Sequence, residues 1–143
     1  MNIAQLLQAK GRAVTTARPD AKLLDIVTSL ASKRIGAIVI VGEKGELAGI
    51  ISERDVIHAL AKSSETVLED SVSKHMTREV VTCQESTTID EMMELMTQGR
   101  FRHVPVIEDG ALIGIISIGD VVKNHIAEVE MEVTAMRGYF ATG

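Results

Sequence analysis

The segment Gly45-Glu-Leu-Ala-Gly-Ile-Ile-Ser-Glu-Arg-Asp-Val56 returns 65 residues later as Gly110-Ala-Leu-Ile-Gly-Ile-Ile-Ser-Ile-Gly-Asp-Val121, with eight identical residues in twelve positions. Upstream the offset becomes 66, as three identical pairs indicate: Val14 with Val80, Thr16 with Thr82, and Arg34 with Arg100. The difference of one residue falls in the turns 42–45 and 108–110, where surface connections tolerate changes in length. The chain is therefore predicted to consist of two copies of one unit.

Hydrophobic periodicity predicts the same order of elements in both copies: strand, helix, strand, strand, helix. The first strands are predicted at 13–16 and 79–82. The helices that follow have apolar residues at i, i+3, i+4 and i+7: Leu23, Ile26, Val27 and Leu30, then Ile89, Met92, Met93 and Met96. Paired strands are predicted at 37–41 with 47–51 and at 104–107 with 112–116, before second helices that begin at Glu53 and Ile118. This order indicates an α/β (α+β) fold class.

The predicted organisation is a helical lead-in (1–12), repeat 1 (13–62), a polar linker (63–75), repeat 2 (76–127) and a C-terminal helix or tail (128–143). A unit of about 60 residues buries too little surface to be stable alone, so the two repeats are expected to pack sheet to sheet around a shared core. That core must be aliphatic, because the chain has seven methionines, two phenylalanines, one tyrosine and no tryptophan.

The tail has an apolar seam with spacings of three and four residues: Ile126, Val129, Val133, Met136 and Phe140. Two heptads are fewer than a coiled coil needs. The seam therefore predicts either a helix that covers its own domain or a helix that makes a homodimer.

Composition disfavours several classes of protein. The formal net charge is −5, whereas a nucleic-acid-binding protein usually has an excess of Lys and Arg. The longest apolar run, Ala37–Val41, is too short to cross a bilayer, and 1–11 lacks the pattern of a secretory signal, so a cytoplasmic protein with no membrane partner is expected. No nucleophile–base pair or Walker-type loop is found, which predicts no catalytic residue. The histidines have no metal-ligand spacing with one another or with Cys83, so no metal site is expected.

The motif Gly-Ile-Ile-Ser-x-x-Asp ends a predicted strand in each copy and places Ser52 with Asp55, and Ser117 with Asp120. A serine followed three residues later by an acid, just before a helix, is typical of a capping box. A helix N-terminus with a hydroxyl and a carboxylate is also suited to a nucleotide, because its N–H groups attract phosphate and the carboxylate accepts ribose hydroxyls. Both interpretations stay open on the motif alone.

The dipeptide Arg102-His103 favours the nucleotide interpretation. Arginine suits bidentate phosphate recognition, and histidine can donate a hydrogen bond to an anion. Repeat 1 has Gly36-Ala37 at the equivalent place, whereas Arg54 occurs where repeat 2 has Gly119. Two unequal sites are therefore expected.

The doubled unit, its two Gly-Ile-Ile-Ser-x-x-Asp motifs and the Arg-His-x-Pro-Val strand at 102–106 together resemble a tandem CBS (cystathionine-β-synthase-like) domain pair, or Bateman module. The resemblance covers residues 13 to about 126 and is greatest to small stand-alone bacterial proteins of this kind. It implies two repeats packed about a pseudo-two-fold axis, with two clefts that bind adenosine-containing ligands.

By position, the resemblance implies a first cleft in which Asp120 and Ser117 hold ribose and phosphate, Arg102 and His103 contact the phosphate, and Thr15, Ile35 and Ala37 flank the adenine. It implies a second cleft with Ser52, Arg54 and Asp55, and with Val81 and Phe101 near the base. The missing Arg-His pair of repeat 1 puts phosphate affinity of the second cleft in question.

The resemblance further implies a non-catalytic regulatory sensor that acts on a separate, unidentified protein. AMP is the favoured ligand, and ATP, ADP or NAD(H) are the other candidates. The alternative is a dimeric protein-interaction module without a nucleotide ligand, in which both Ser-x-x-Asp motifs only cap helices.

Overall fold

The computed structural model describes the backbone of residues 1–142 and the side chains of 1–139, so the seam residue Phe140 lies outside the described side chains. The helices and strands follow in this order: α1 (Ile3–Lys10), β1 (Thr16–Ala17), α2 (Leu23–Lys33), β2 (Ala37–Val41), β3 (Leu47–Ser52), α3 (Glu53–Ser63), α4 (Ile89–Gly99), β4 (His103–Glu108), β5 (Ala111–Ser117) and α5 (Ile118–Thr142). Two short 3₁₀ helices, Ser64–Glu69 and Val72–Lys74, lie between α3 and α4. The predicted mixed fold with a C-terminal helix is confirmed.

The two sheets are unequal, which corrects the predicted first strands. In repeat 1, β1 has only two residues and pairs in parallel with β2, which pairs antiparallel with β3. In repeat 2, β4 pairs antiparallel with β5, residues 79–82 form no strand, and an isolated parallel bridge between Cys83 and Val106 of β4 takes the place of a first strand. The strand prediction at 79–82 is wrong because Glu79, Val80 and Val81 line a cleft instead of joining the sheet.

Each repeat completes its core with a segment from outside it. Helix α1, which precedes repeat 1, contributes three buried side chains to the core of repeat 2: Ile3, Leu6 and Leu7. Residues that follow repeat 1 contribute three side chains to its own core: Val67, Val72 and Met76. The buried residues thus form two hydrophobic clusters, and the prediction of one shared core is wrong. The segment 63–75 was predicted to be a polar linker, but two of its side chains, Val67 and Val72, are buried in the core of repeat 1.

The motif glycines Gly49 and Gly114 make this packing possible. A Cβ atom on Gly49 would lie 2.7 Å from both the Met76 sulfur and the Thr77 carbonyl oxygen. On Gly114 it would lie 2.7 Å from a methyl group of Leu7. Since Thr77 and Ile50 exchange two backbone hydrogen bonds of 2.9 Å, the backbone beside Gly49 has little freedom to retreat. These two repeated glycines therefore have a packing role.

Replacing Gly49 with alanine should destabilise the protein by about 1–3 kcal/mol, the usual cost of forcing extra volume into a packed site. Gly114→Ala should also be destabilising, because Leu7 is buried in the core of repeat 2 and has little room to move. Gly119→Ala is the matched control, since its new Cβ would come no closer than 3.7 Å to another residue. Urea unfolding monitored by circular dichroism measures all three. Equal stability of Gly49→Ala and Gly119→Ala would contradict this account.

Helix α5 runs without interruption across the predicted boundary between residues 127 and 128. Val121 is its last buried residue, and every described side chain from Val129 to Tyr139 is exposed. Of the two interpretations of the seam, a helix that covers its own domain is therefore wrong for residues 129–139. Although α5 has 25 residues, neither it nor any other helix within 1–142 combines the length and hydropathy needed to cross a membrane.

Candidate functional site

Two clefts lie between the repeats, and all twelve predicted site residues line one or the other. The first, here called the Asp120 cleft, has a volume of about 400 Å³ and includes six of them: Thr15, Ile35, Ala37, His103, Ser117 and Asp120. The second, the Asp55 cleft, has a volume of about 250 Å³ and includes seven: Ser52, Arg54, Asp55, Val81, Phe101, Arg102 and His103. These sizes are near those of small-molecule sites, which start at roughly 300 Å³.

A capping box forms at the start of α3. The Asp55 N–H donates to Ser52 Oγ at 3.2 Å, and the Ser52 N–H donates to Asp55 Oδ2 at 2.9 Å. The Ser52 hydroxyl donates to the same carboxylate oxygen at 3.0 Å. Ser117 and Asp120 repeat this arrangement at the start of α5, with distances of 3.2, 2.9 and 2.9 Å. The helix-capping interpretation of both motifs is therefore correct.

Capping does not use up the two carboxylates. All the hydrogen bonds that the described residues make to Asp55 and Asp120 side chains end on Oδ2, which leaves Oδ1 with its lone pairs. An ionised carboxylate is a pure acceptor with about four lone-pair sites, so it can still bind hydroxyl groups such as those of a ribose. The capping and nucleotide interpretations are thus compatible.

Lys10, at the end of α1, lies against Asp120. Its ammonium group donates to Asp120 Oδ2 at 2.5 Å and to the Ile115 carbonyl oxygen at 2.6 Å. Burial alone would raise the pKa of Asp120, but the hydrogen bonds from Lys10 and Ser117 outweigh it and hold the pKa below its usual value. Asp120 is therefore ionised at neutral pH, and a ligand that binds it must share it with Lys10.

His103 lies between the two clefts and lines both of them. Its ring lies against Gly36, where a Cβ atom would be 3.0 Å from two ring atoms. Burial lowers the pKa of His103, and the neighbouring Lys10 and Arg102 lower it further, against the opposite effect of Glu53 and Asp120. Without a bound anion His103 is therefore neutral at pH 7, and its role there is that of a hydrogen-bond donor or acceptor.

Arg102 lines the Asp55 cleft, where the resemblance had not placed it, and does not line the Asp120 cleft. The Asp55 cleft thus contains three arginines: Arg54, Arg100 and Arg102. Three acidic residues face them: Glu53, Asp55 and Glu79. The cationic side chains of the Asp120 cleft are instead Lys10 and Arg34. The two clefts are unequal as expected, but the larger number of cations belongs to the cleft whose phosphate affinity was in question.

Sequence reasoning missed Lys10, Arg34 and Arg100 as cleft residues. Arg34 and Arg100 end helices α2 and α4 in the left-handed conformation, with φ of 53° and 56°. Their identity at equivalent positions of the two repeats was a signal that could have found them. Lys10 had no such signal, because it reaches the cleft only through the packing of α1 on repeat 2.

The chain matches the CBS domain family twice, over residues 11–62 and 71–126. A curated relative is the mitochondrial CBS domain-containing protein CBSX3 from Arabidopsis thaliana, which is 34% identical over 99% of this chain and 72% of that protein.

Solved structures agree with this match. The CBS-domain containing protein ATU1752 from Agrobacterium tumefaciens is 48% identical, with a TM-score of 0.83 over 85% of this chain and 91% of that one. The CBS domain pair of protein MJ0100, solved with 5′-methylthioadenosine and S-adenosyl-L-methionine, is 25% identical with a TM-score of 0.79 over 90% and 98% of the two chains. The CBS domain protein PAE2072 from Pyrobaculum aerophilum, complexed with AMP, has the same fold at 24% identity, with a TM-score of 0.75 over 84% and 89%.

Proposed function

The chain belongs to the CBS-domain family, and from this premise we propose that it is a non-catalytic regulatory module that binds adenosine-containing nucleotides between its two CBS domains. The observation that carries the proposal is the composition of the clefts. Each one has a capping-box carboxylate at a helix N-terminus together with cationic side chains. These are Lys10 and Arg34 in the Asp120 cleft and the three arginines in the Asp55 cleft. A carboxylate suits ribose hydroxyls, and cations with free helical N–H groups suit phosphate.

AMP is the ligand that this combination favours. It needs one ribose acceptor and one phosphate site, which is what each cleft supplies. The related structures with AMP, 5′-methylthioadenosine and S-adenosyl-L-methionine support an adenosine moiety as the common element. ADP and ATP are further candidates for the arginine-rich Asp55 cleft. The expectation of NAD(H) has no support from the ligands of the related structures, which are AMP, 5′-methylthioadenosine and S-adenosyl-L-methionine. Aliphatic Ile35 would contact the adenine in the Asp120 cleft, and Val81 together with Phe101 would contact it in the Asp55 cleft.

A regulatory role without catalysis is consistent with the side chains in the clefts. Cys83, the single cysteine, is buried, and burial raises the pKa of its thiol to about 12, so it is not a nucleophile at neutral pH. A bound nucleotide would contact groups of both repeats and thereby change their relative stability or orientation. The regulated protein would respond by binding the module differently in its nucleotide-bound and nucleotide-free states.

The proposal is tested by thermal unfolding of protein freed of co-purified ligand. AMP at about 100 times its Kd should add about 2.7 kcal/mol to the free energy of unfolding, which raises Tm by about 5–10 °C. The panel includes adenosine, AMP, ADP, ATP, NADH, 5′-methylthioadenosine and S-adenosyl-L-methionine, with GMP as the control for the base. No shift with any adenosine compound would contradict the proposal, and an equal shift with GMP would contradict the adenine specificity.

The exposed part of α5 supports a homodimer as the second element of the proposal. Four apolar side chains lie along one side of it and are 40–59% exposed: Ile126, Val129, Val133 and Met136. Nothing within the described residues covers this stripe, and a second copy would bury it. The same helix also supports the alternative function, a dimeric interaction module without a nucleotide, for which the thermal panel would show no shift.

Val133→Lys should convert the dimer into a monomer, because it places a charge in the middle of the apolar stripe. Met131→Lys is the matched control: Met131 is 70% exposed and lies on the opposite side of α5. Light scattering during size-exclusion chromatography gives the mass of each variant. A dimer that survives Val133→Lys, or one that Met131→Lys also dissociates, would be evidence against the stripe as the interface.

A further inference from the structure

Helices α4 and α5 bring together three side chains that are suited to a metal ion: Asp90, His125 and Glu128. Asp90 lies in the first turn of α4, and His125 and Glu128 are three residues apart on α5, so they share one face of that helix. One ligand atom from each residue lies within 4.8 Å of the other two. The cluster lies outside both clefts, and the proposed nucleotide function does not use it.

His125 supplies the observation that points to a ligand. Its Nδ1 atom is shielded from solvent and has no hydrogen-bond partner in the part of the chain that the structure describes. Asp90 Oδ1 is 3.7 Å from it, which is too long for a hydrogen bond. Leaving a buried polar atom unpaired is unfavourable, so such an atom requires an explanation.

The spacing of these atoms fits an ion between them. Zinc binds imidazole nitrogen and carboxylate oxygen at about 2.0–2.2 Å, so two of its ligands lie about 3.4 Å apart in tetrahedral geometry. The 3.7 Å between His125 Nδ1 and Asp90 Oδ1 is close to this value. The Asp90 side chain is 83% exposed and free to rotate, which allows the remaining gaps to close.

We propose that Asp90, His125 and Glu128 form a binding site for a divalent first-row transition-metal ion, with Zn²⁺ as the probe. One imidazole selects against Mg²⁺ and Ca²⁺, which prefer oxygen ligands only, and two carboxylates neutralise the charge of the ion. Glu128 also forms an ion pair with the amino group of Met1 through Oε1, and a carboxylate has a second oxygen for an ion. Water completes the coordination.

The site has a structural consequence. His125 and Glu128 lie immediately before the exposed part of α5, and Asp90 belongs to the helix that packs against it. A bound ion would hold the two helices together and fix the direction in which the exposed segment leaves repeat 2. Sequence spacing gave no sign of this site, because Asp90 and His125 are 35 positions apart in the chain.

The test is titration of the full chain with Zn²⁺ by calorimetry, after dialysis against EDTA and without nucleotide. We expect one ion per chain, and we expect His125→Ala to weaken binding at least tenfold, since even loss of an outer-shell partner typically costs 10–100-fold. Asp90→Asn should do the same and is too exposed to disturb folding. His58→Ala, which removes an exposed histidine far along the chain, is the control and should bind as the wild type does.

Equal Zn²⁺ affinity in the wild type, His125→Ala and Asp90→Asn would overturn the assignment, as would the absence of binding, which would leave a His–Asp ion pair only. Preference for Mg²⁺ over Zn²⁺ would overturn the choice of a transition metal. Because nucleotide is absent and Asp90, His125 and Glu128 line neither cleft, failure here leaves the proposed nucleotide function unaffected.

Discussion

Asp120→Asn should weaken AMP binding in the Asp120 cleft about 100-fold. Two ribose hydroxyls that donate to an ionised carboxylate make charge-assisted bonds of about 1.5–3 kcal/mol each, and a neutral amide replaces these with weaker ones. The pKa of Asp120 is held below its usual value, so the wild-type group is ionised throughout the neutral range. Asparagine keeps an oxygen in place for the Ser117 N–H, so the helix cap is largely retained.

Calorimetric titration with AMP measures this effect, and Asp55→Asn is the matched control. Asp55 has the same capping box but lies in the other cleft, so each variant should lose one site and keep the other. If Asp120→Asn binds AMP as tightly as the wild type does, the Asp120 carboxylate does not contact the ligand. Loss of both sites in either variant would instead indicate that the two clefts bind cooperatively.

Lys10 is the side chain with which a ligand would compete for Asp120. In the absence of ligand its ammonium group occupies the Asp120 carboxylate, so the ribose and Lys10 compete for one group unless both oxygens are used. The Lys10 side chain is 30% exposed and has a flexible four-carbon stem, so we expect it to turn toward a phosphate when a ribose binds Asp120. Ligand binding would then change the contacts of the N-terminal helix, because Lys10 belongs to α1.

Much of the fold was predictable from the sequence because the duplication aligns each uncertain element with a clearer one. The helices and paired strands follow from periodicity, and the Ser-x-x-Asp motifs identify where α3 and α5 begin. The absence of a strand at 79–82 was not predictable. Two valines beside a charged residue favour a strand locally, whereas in the structure Val81 is exposed in a cleft. Local propensity has no information on which segment a sheet will recruit.

The clefts were predictable residue by residue only where the motifs supplied the residues. Asp120, Ser117 and Thr15 come together because the end of β5 and the residue before β1 line the same cleft. The assignment of Arg102 to one cleft was beyond sequence reasoning, since Arg102 and His103 are neighbours in the chain and yet only His103 reaches both clefts. Both line the Asp55 cleft, but adjacent side chains on an extended segment point to opposite sides, so only His103 also lines the Asp120 cleft.

The position of Arg102 has a direct consequence for ligand preference. The Asp55 cleft combines three arginines with three acids, so its phosphate affinity depends on which arginines are free of local pairing. All three arginines are exposed, and none of the ion pairs found among the described residues involves any of them. Arg102 adjoins His103, which lines both clefts, and we expect it to bind a phosphate together with Arg54 and Arg100.

Arg102→Met should reduce the preference of the Asp55 cleft for AMP over adenosine by tenfold or more. Removing one charge-assisted contact costs about 1.5–3 kcal/mol, and each 1.4 kcal/mol is a factor of ten in affinity. Measured in the Asp120→Asn background, which leaves only the Asp55 cleft, the ratio of the two Kd values gives the effect of the phosphate alone. Arg34→Met is the matched control, because Arg34 lines the other cleft and should leave this ratio unchanged. An unchanged ratio in Arg102→Met would mean that Arg54 and Arg100 bind the phosphate without it.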